Sequence, residues 1–474
     1  MTAPLRPDLC VIGAGSGGLS VAAAAAMMGV AVVLVEKGEM GGDCLNFGCV
    51  PSKALIAAGH AAQGMRMAGR FGVRAVEPVV DYAGVHAHVH GVIRAIAPND
   101  SQARFEALGV RVIRAAGRFV RKDTLEAGSQ VIKARRFIIA TGSSPALPPI
   151  AGIETVRVLT NESVFDLKDL PARLIIIGGG PIGVELAQAF RRLGSDVIIL
   201  EAAQALARED PEFSDVVVKR LRQEGVDLRE GVVIARVEAR VDGVRVVLAG
   251  GAIDDNIDGS HLLVAAGRSP NLENLGLEAA GVTFDRKGVN VSKSLRTSNR
   301  RIYAIGDVAG GAQFTHAANY HAGLVLRATL FRLRVKLQAH LIPRVTYTDP
   351  EIAVAGLTEA EARALHGKIT ILRWPFSEND RAQAERETEG HIKLLTTRRG
   401  VVLGVGIVGP RAGEMIAFWQ LVIAKGMKTR DIASVVFPYP TLSEISKRAA
   451  TSGFAASLRN PWLGRALRFL RRFG

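Results

Sequence analysis

The sequence predicts an α/β chain in which a strand, a glycine turn, a helix and a second strand are written twice, followed by a C-terminal α+β domain. Three observations carry that expectation. A G-x-G-x-x-G turn falls at Gly13, Gly15 and Gly18 and again at Gly178, Gly180 and Gly183. In both copies an acid, Glu36 or Glu201, lies 23 residues beyond the first glycine. After about residue 340 the texture changes to strand-like segments alternating with helices. A lone glycine turn is weak evidence, but two in βαβ context with the acid at one distance are strong.

In the first unit, Val11-Ile12 leads into the turn, an Ala-rich helix follows, and the strand Ala31 to Val35 ends at Glu36. In the second, Leu174 to Ile177, a helix through Arg192 and Val197 to Leu200 repeat the order and end at Glu201. The glycines permit a tight turn and let the backbone approach a pyrophosphate, whose charge the helix N-terminus meets. The acid accepts hydrogen bonds from an adenosine ribose. Glu201 would repel a ribose 2′-phosphate, so the second site is expected to prefer NADH to NADPH, with Arg208 nearby able to soften the preference.

Between the acid and the next helix stands Gly41-Gly42-Asp43-Cys44-Leu45-Asn46-Phe47-Gly48-Cys49-Val50-Pro51-Ser52-Lys53. Two cysteines this close to a dinucleotide site point to electrons passing from a bound cofactor into a disulfide. On a regular helix, residues five apart sit about 140° around the axis and roughly 8 Å apart, beyond the reach of about 7 Å that a disulfide allows. Gly48 is therefore expected to distort the chain, and Pro51 to restart a helix. Asp43 reads as a helix N-cap, or else as a carboxylate tuning Cys44. Cys10, in the first strand, reads as core.

Later segments supply further candidates. Phe137 to Gly142 is an apolar strand ending in a glycine turn, and Leu262 to Arg268 repeats that pattern. Ile302 to Asp307 places a carboxylate just past a strand, where it can bind a cofactor's sugar-alcohol chain. His86, His88 and His90 sit in a helical pattern in which only His86 and His90 share a face, so a solvated helix edge is expected rather than a metal site. Arg344 to Thr348, Ile369 to Trp374, His391 to Thr396 and Val401 to Val408 read as an antiparallel sheet.

Size and composition bound the rest. A chain of 474 residues should divide into two to four domains, and 48% hydrophobic with 22% charged residues is ordinary globular material. Trp374, Trp419 and Trp462 all fall in the last quarter, as a separate C-terminal unit would give. The net charge of +15 would suit anionic partners, yet the body of the chain has no basic stripe interleaved with aromatics, which argues against nucleic acid. Leu9 to Val35 is uncharged, but glycines at 13, 15, 17, 18 and 29 break it, so it reads as neither signal peptide nor membrane span. With no export signal the expected compartment is the cytoplasm, where a thiol pair cycles catalytically.

Together these residues resemble the pyridine nucleotide–disulfide oxidoreductases, the group containing dihydrolipoamide dehydrogenase, glutathione reductase and mercuric reductase. The cysteine motif, both glycine fingerprints, Ala140-Thr141-Gly142, Gly306-Asp307 and Tyr347-Thr348-Asp349-Pro350-Glu351 occur in the family's order, to about residue 453. The resemblance implies two Rossmann-like dinucleotide-binding domains, for FAD and NAD(P), plus a C-terminal α+β dimerisation domain. It sets them at residues 1–150 completed by 269–338, at 151–268 and at 339–454, with a basic tail at 455–474. It implies a homodimer with FAD and NADH (NADPH as the alternative) as cofactors. Hydride passes from NADH through FAD to a Cys44–Cys49 disulfide, with Cys49 facing the flavin as thiolate and Cys44 meeting substrate. Lys53 and Glu185 resemble the family's paired lysine and glutamate. Cofactor contacts carry over to Gly13, Gly15, Gly18, Glu36, Gly42, Lys53, Gly117, Thr141, Gly142, Gly178, Gly180, Gly183, Glu201, Gly267 and Asp307; no resident metal site is implied.

The sequence departs from dihydrolipoamide dehydrogenase and glutathione reductase at one catalytic place. Their C-terminal His-Pro, oriented by a glutamate five residues on, is replaced by Tyr439-Pro440, while Glu444 remains. A phenol titrating near 10 is a poor proton shuttle beside an imidazole near 6.5. Tyrosine here is similar to mercuric reductase, as are Glu185 to Phe190 and Arg208 to Pro211, yet the C-terminal cysteine pair of that group is missing. The expected substrate is a small disulfide, a metal ion or a quinone. From Ala455 the tail holds Arg459, Arg465, Arg468, Arg471 and Arg472 with no acid, among Trp462, Leu463, Leu467 and Leu470. That pattern offers peripheral membrane contact.

Overall fold

The computed structural model describes residues 3–250, 256–454 and 461–473. Its contacts group the chain into two compact units, Met1–Gln204 with Val226–Gln338, and Ala205–Gly225 with Ala339–Gly474.

The first unit holds two five-stranded parallel sheets that match in four strands; the fifth, outer strand comes last in the chain in one and first in the other. One runs Ile302–Ala304, Arg136–Ile139, Leu9–Ile12, Val32–Glu36, Arg111–Arg114. The other runs Val158–Leu159, His261–Val264, Arg173–Ile177, Asp196–Leu200, Asp227–Arg229. Each centres on the strand that enters a glycine turn. Both faces of such a strand are covered, which is why Leu9 to Ile12 and Leu174 to Ile177 are continuous apolar runs. In both copies the crossover from third to fourth strand is a three-stranded antiparallel meander: Gly117–Arg121, Thr124–Ala127, Gln130–Ile132 in one, Ile234–Arg240, Gly243–Leu248, Asn256–Gly259 in the other. Cys10 is fully buried in the first sheet's core. His86 and His90 share a face of the helix Tyr82–Ile96, with ring centroids 4.2 Å apart, and His90 Nε2 lies 3.1 Å from the Phe165 carbonyl.

The second unit is an antiparallel sheet in the order Arg344–Thr346, Glu351–Gly356, Val402–Gly409, His391–Thr397, Ile369–Pro375. Trp419 is fully buried in its core. The strand Glu351–Gly356 is a central one that the sequence pattern does not announce. Its small, apolar residues (Glu-Ile-Ala-Val-Ala-Gly) show no alternation. The helix Pro211–Gln223 belongs to this unit by its contacts; the glycine at 406 leaves room for the Phe213 ring, with which a Cβ there would collide. Lys393, buried in this sheet, is held by Asp210 at 2.6 Å, Glu212 at 2.7 Å and Glu359 at 3.0 Å.

Of the tail, Ala455 to Asn460 (Arg459 among them) and Gly474 lie outside the described residues, as does the Leu463 side chain. Pro461–Leu470 is a helix. Among the described residues no helix is long and apolar enough to cross a membrane.

Candidate active site

Cys44 lies on the five-residue helix Gly42–Asn46, and Cys49 is the first residue of the helix Cys49–Met67. The break between them falls at Phe47 and Gly48, with Gly48 at φ −124 and ψ −108. A Cβ at Gly48 would sit 2.8 Å from Asp43 Oδ2 and 3.1 Å from the Asp43 carbonyl oxygen, so a side chain there would have to displace the Asp43 carboxylate. The helix restarts at Cys49, ahead of Pro51; the proline occupies the first turn, where a missing N–H is harmless.

The two thiols are chemically unequal. Hydrogen bonding from the Cys44 thiol pulls Cys49 down to about 6, against burial, with help from the Thr315 hydroxyl and the Lys53 charge. The same bond and burial push Cys44 up. Thr315 Oγ1 lies 3.3 Å from Cys49 Sγ and is the first residue of the helix Thr315–Thr329. The sulfur thus stands at a helix N-terminus, where an anion is favoured. In reduced Cys44→Ala, the alkylation profile of Cys49 is expected to move from a midpoint of about 6 toward the ordinary thiol value near 8.5. Rates of iodoacetamide labelling against pH check this, and a midpoint that stays put removes Cys44 as the cause.

Lys53 follows Cys49 by one helical turn, and its Nζ meets Glu185 Oε2 at 2.9 Å. Glu185 is buried on the helix Pro181–Leu193. The two helices approach closely because Gly59 faces Ala189; a Cβ at 59 would stand 3.3 Å from the Ala189 Cα. The lysine and glutamate singled out in the sequence therefore form one ion pair.

The glycine turns divide into two kinds of position. At Gly13 (φ +107) a Cβ would collide with the Ala140 carbonyl, and at Gly178 (φ +113) it would lie 2.5 Å from the carbonyl oxygen of Ala265. Gly18 and Gly183 press on the carbonyl oxygens of Gly13 and Gly178 in the same way. These outer glycines are demanded by internal packing. The middle ones are not: a Cβ at Gly15 or Gly180 meets no atom within 4 Å. Both cap a helix, Ser16–Met27 and Pro181–Leu193, without side-chain help. Open backbone at a helix N-terminus is an anion cradle, so the residues present fit a dinucleotide pyrophosphate in both copies.

The neighbouring candidates gather at these turns. Glu36 accepts from the N–H groups of Ala14 (2.5 Å) and Gly38 (2.6 Å), and Glu201 from those of Gly179 (2.6 Å) and Ala203 (2.9 Å). A Cβ at Gly42 would stand 2.7 Å from the Gly15 Cα. Gly117 is buried against Val35. Thr141 donates its hydroxyl to the Asn271 carbonyl at 2.9 Å, while Gly142 and Gly267 border open space. Asp307 accepts from the Ser143 hydroxyl at 2.6 Å, and burial pushes its carboxyl up. Arg208 belongs to the second unit, where it lines a cavity of about 310 Å³ with Arg344 and Lys393.

Asp43 is not the N-cap that the sequence predicts. Gly41 occupies that place, and Asp43 sits in the first turn with its carboxylate turned to Arg268 and Asn161, both at 3.0 Å. Thr315, Asn161, Ser143 and Arg268 have no role that the sequence foretells. Thr315, Asn161 and Arg268 reach the cysteine motif from segments between 114 and 266 residues away, and Ser143 joins them through Arg268, so no local pattern marks them. In the second unit Tyr439 donates its hydroxyl to Asp380 at 2.8 Å, and that bond holds the phenol above its ordinary range. Glu444 pairs with Arg448 at 3.3 Å.

A family model described as pyridine nucleotide-disulphide oxidoreductase matches residues 7–322, and one described as its dimerisation domain matches residues 342–450. The chain is 35% identical over 446 residues to a mercuric reductase of Lysinibacillus sphaericus, spanning 94% of this chain and 82% of that one. It is 35% identical over 456 residues to a dihydrolipoyl dehydrogenase of Bacillus subtilis (strain 168), spanning 94% and 96%. A solved structure, the Cu(II) complex of the HOCl-induced flavoprotein disulfide reductase RclA from Escherichia coli, is similar with a TM-score of 0.83 at 28% identity, covering 93% of this chain and 98% of that one.

Proposed function

The chain belongs to the pyridine nucleotide-disulphide oxidoreductases, and from that premise we propose that Cys44 and Cys49 are its redox-active pair, with a thiol-reactive metal ion as the preferred substrate class. The enzyme is an FAD-dependent, NAD(P)H-using disulfide oxidoreductase that forms a homodimer and acts on a small molecule. Bound FAD supplies the two-electron relay between nicotinamide and disulfide.

The observation that carries this reading is the setting of Cys49, whose Sγ lies 3.3 Å from Thr315 Oγ1 at the start of the helix Thr315–Thr329 and which is followed one helical turn later by Lys53. Cys49, held as thiolate by Cys44, Thr315 and Lys53, is the partner suited to the flavin side. Cys44 keeps its proton and is the exchange thiol, losing that proton as it bonds a soft cation. The Gly13, Gly15, Gly18 turn with Glu36, Gly42, Gly117, Thr141, Gly142 and Asp307 would hold FAD. Gly178, Gly180, Gly183, Glu201 and Gly267 would hold NADH, residues 1–150 with 269–338 and residues 151–268 being the respective domains. Tyr439 favours metal over a disulfide leaving group: bonded to Asp380, the phenol holds its proton at neutral pH and cannot relay one to a departing thiolate. Dihydrolipoyl dehydrogenase chemistry is the competing form.

NADH consumption with Hg(II) or Cu(II) in excess thiol, with lipoamide, with oxidised glutathione and with a soluble quinone tests the proposal. Metal-ion turnover above lipoamide turnover is expected; the reverse order refutes the role given to Tyr439.

A second reading, an NADH:quinone diaphorase peripheral to a cytoplasmic membrane face, draws on the tail. Trp462, Phe469, Leu470 and Phe473 are all exposed, and Arg465 lies over the Trp462 ring at 4.8 Å. At 100° per residue within the helix Pro461–Leu470, Trp462, Ala466, Leu467, Phe469 and Leu470 fall on one arc and Arg465 and Arg468 on the other, with Arg471 and Arg472 following its end. Truncation after Phe454 is expected to abolish co-sedimentation with phosphatidylserine vesicles and leave soluble-quinone turnover intact. Equal sedimentation of both proteins rules the anchor out.

A further inference from the structure

Five side chains connect the cysteine motif to the place where the chain passes between its two nucleotide folds. Arg268 Nη2 meets Asp43 Oδ1 at 3.0 Å, and Asn161 Nδ2 donates to the same oxygen at 3.0 Å. Asn161 also donates to the Phe47 carbonyl at 3.2 Å, inside the break that separates the cysteines, and accepts from Arg268 Nη1 at 3.3 Å. Arg268 continues to the Ser143 hydroxyl at 2.8 Å and carbonyl at 2.7 Å, and Ser143 donates to Asp307 at 2.6 Å. Ser143–Pro145 and Arg268–Pro270 pair antiparallel, and they are the outgoing and returning crossings between the two parallel sheets. The Arg268 side chain is 11% exposed, so this is a built arrangement rather than a surface pairing.

The physical need is clear from the length of the Cys44 helix. Five residues cannot hold a helix by their own propensity. Its placement relative to Cys49 must come from outside, and Gly48 removes the covalent stiffness a continuous helix would have given. Two anchors reach it from distant segments, one on each side of Cys44: the Asp43 carboxylate, which meets Arg268 and Asn161, and the Phe47 carbonyl, which accepts from Asn161.

We propose that Asp43 is a positioning residue for the exchange thiol: with Arg268 and Asn161 it fastens the Cys44 turn to the two crossover strands and keeps the Cys44 sulfur in reach of Cys49. The inference rests on the reading of Cys44 and Cys49 as the redox pair, and it goes beyond that reading by assigning what aligns them. The alternative, that Asp43 acts only through its charge, has the opposite sign. A bare carboxylate raises both thiols, so its removal alone would lower Cys49, whereas loss of the fastening withdraws the Cys44 hydrogen bond and raises it.

The test uses purified holoprotein, reduced and then alkylated across pH, for the wild type, Asp43→Ala, Asp43→Asn and Asn161→Ala. Asp43→Ala and Asn161→Ala are expected to raise the Cys49 midpoint from about 6 toward 8.5, while Asp43→Asn, which retains the acceptor oxygen, stays low. In a glutathione buffer, where two protein thiols close to a disulfide as one oxidised glutathione becomes two thiols, both alanine variants should form the disulfide about tenfold less readily. A Cys49 midpoint that falls or stays in both alanine variants, with closure unchanged, overturns the proposal. Because the readout is thiol titration, an enzyme that turned over none of the tested acceptors would still show whether Asp43 holds the Cys44 turn in place.

Discussion

Replacing Cys44 with alanine is expected to lower turnover of metal-ion and disulfide substrates by about 10³-fold or more, while reduction of a soluble quinone survives. In the proposed function the two sulfurs have different tasks, and the variant is expected to harm both. Cys49 owes its low thiol range first to the Cys44 hydrogen bond, so the variant loses the exchange nucleophile and also loosens the thiolate beside it. Cys49 stands against the Thr315 end of a helix, and what remains cannot form an intramolecular disulfide. An acceptor that takes electrons without touching sulfur is indifferent to both losses. Stopped-flow reduction by NADH, followed by turnover with each acceptor, separates the cases. Retention of most of the metal-ion rate in Cys44→Ala would mean that the dithiol is a bystander.

How far the sequence foretells this site depends on the range of the interactions. Each glycine turn and its acid are written within 24 residues, and the two copies corroborate each other at the level of sequence alone. The Lys53–Glu185 pair is legible only through resemblance, because nothing local in either helix points to a partner 132 residues away. The Thr315 contact to Cys49 and the Arg268 contact to Asp43 are not legible at all. Threonine at a helix start and arginine after a glycine turn are common, and only tertiary packing brings them to a sulfur or a carboxylate. Asp43 itself shows how a local rule fails: it stands where capping propensity favours it, but a largely buried guanidinium outcompetes a backbone N–H. The inner strand Glu351–Gly356 escapes for a related reason: Ile352 and its neighbours Ala353 and Ala355 are buried on opposite sides of the pleat, and a strand so covered loses the alternation that a solvent-facing side gives.

The second large effect expected is at the second glycine turn, where Gly178→Ala and Gly180→Ala should weaken NADH binding by different routes. In Gly178→Ala the new methyl would lie 2.5 Å from the Ala265 oxygen and 2.7 Å from its carbonyl carbon, at a φ of +113. Ala265 directly follows the buried strand His261–Val264, so the turn must yield instead. Left-handed strain of about 1–3 kcal/mol together with the displaced backbone is expected to raise the KM for NADH by about 10²-fold or more. Thermal stability should fall as well, while FAD stays bound because Gly13, Gly15 and Gly18 form a separate turn. Gly180→Ala is the sharper probe. Gly180 has an ordinary φ of −74 and open space where its Cβ would go, so the fold tolerates the methyl and the melting temperature should hold. Its methyl nevertheless stands in the cradle at the start of the helix, and about tenfold weaker NADH binding is expected, since a phosphate held by backbone N–H groups needs close approach. Isothermal titration of the oxidised holoprotein with NAD⁺, beside thermal melts, reads both quantities. If Gly180→Ala binds the nucleotide as tightly as the parent, the second turn serves helix–strand packing alone, and the electron donor must enter elsewhere.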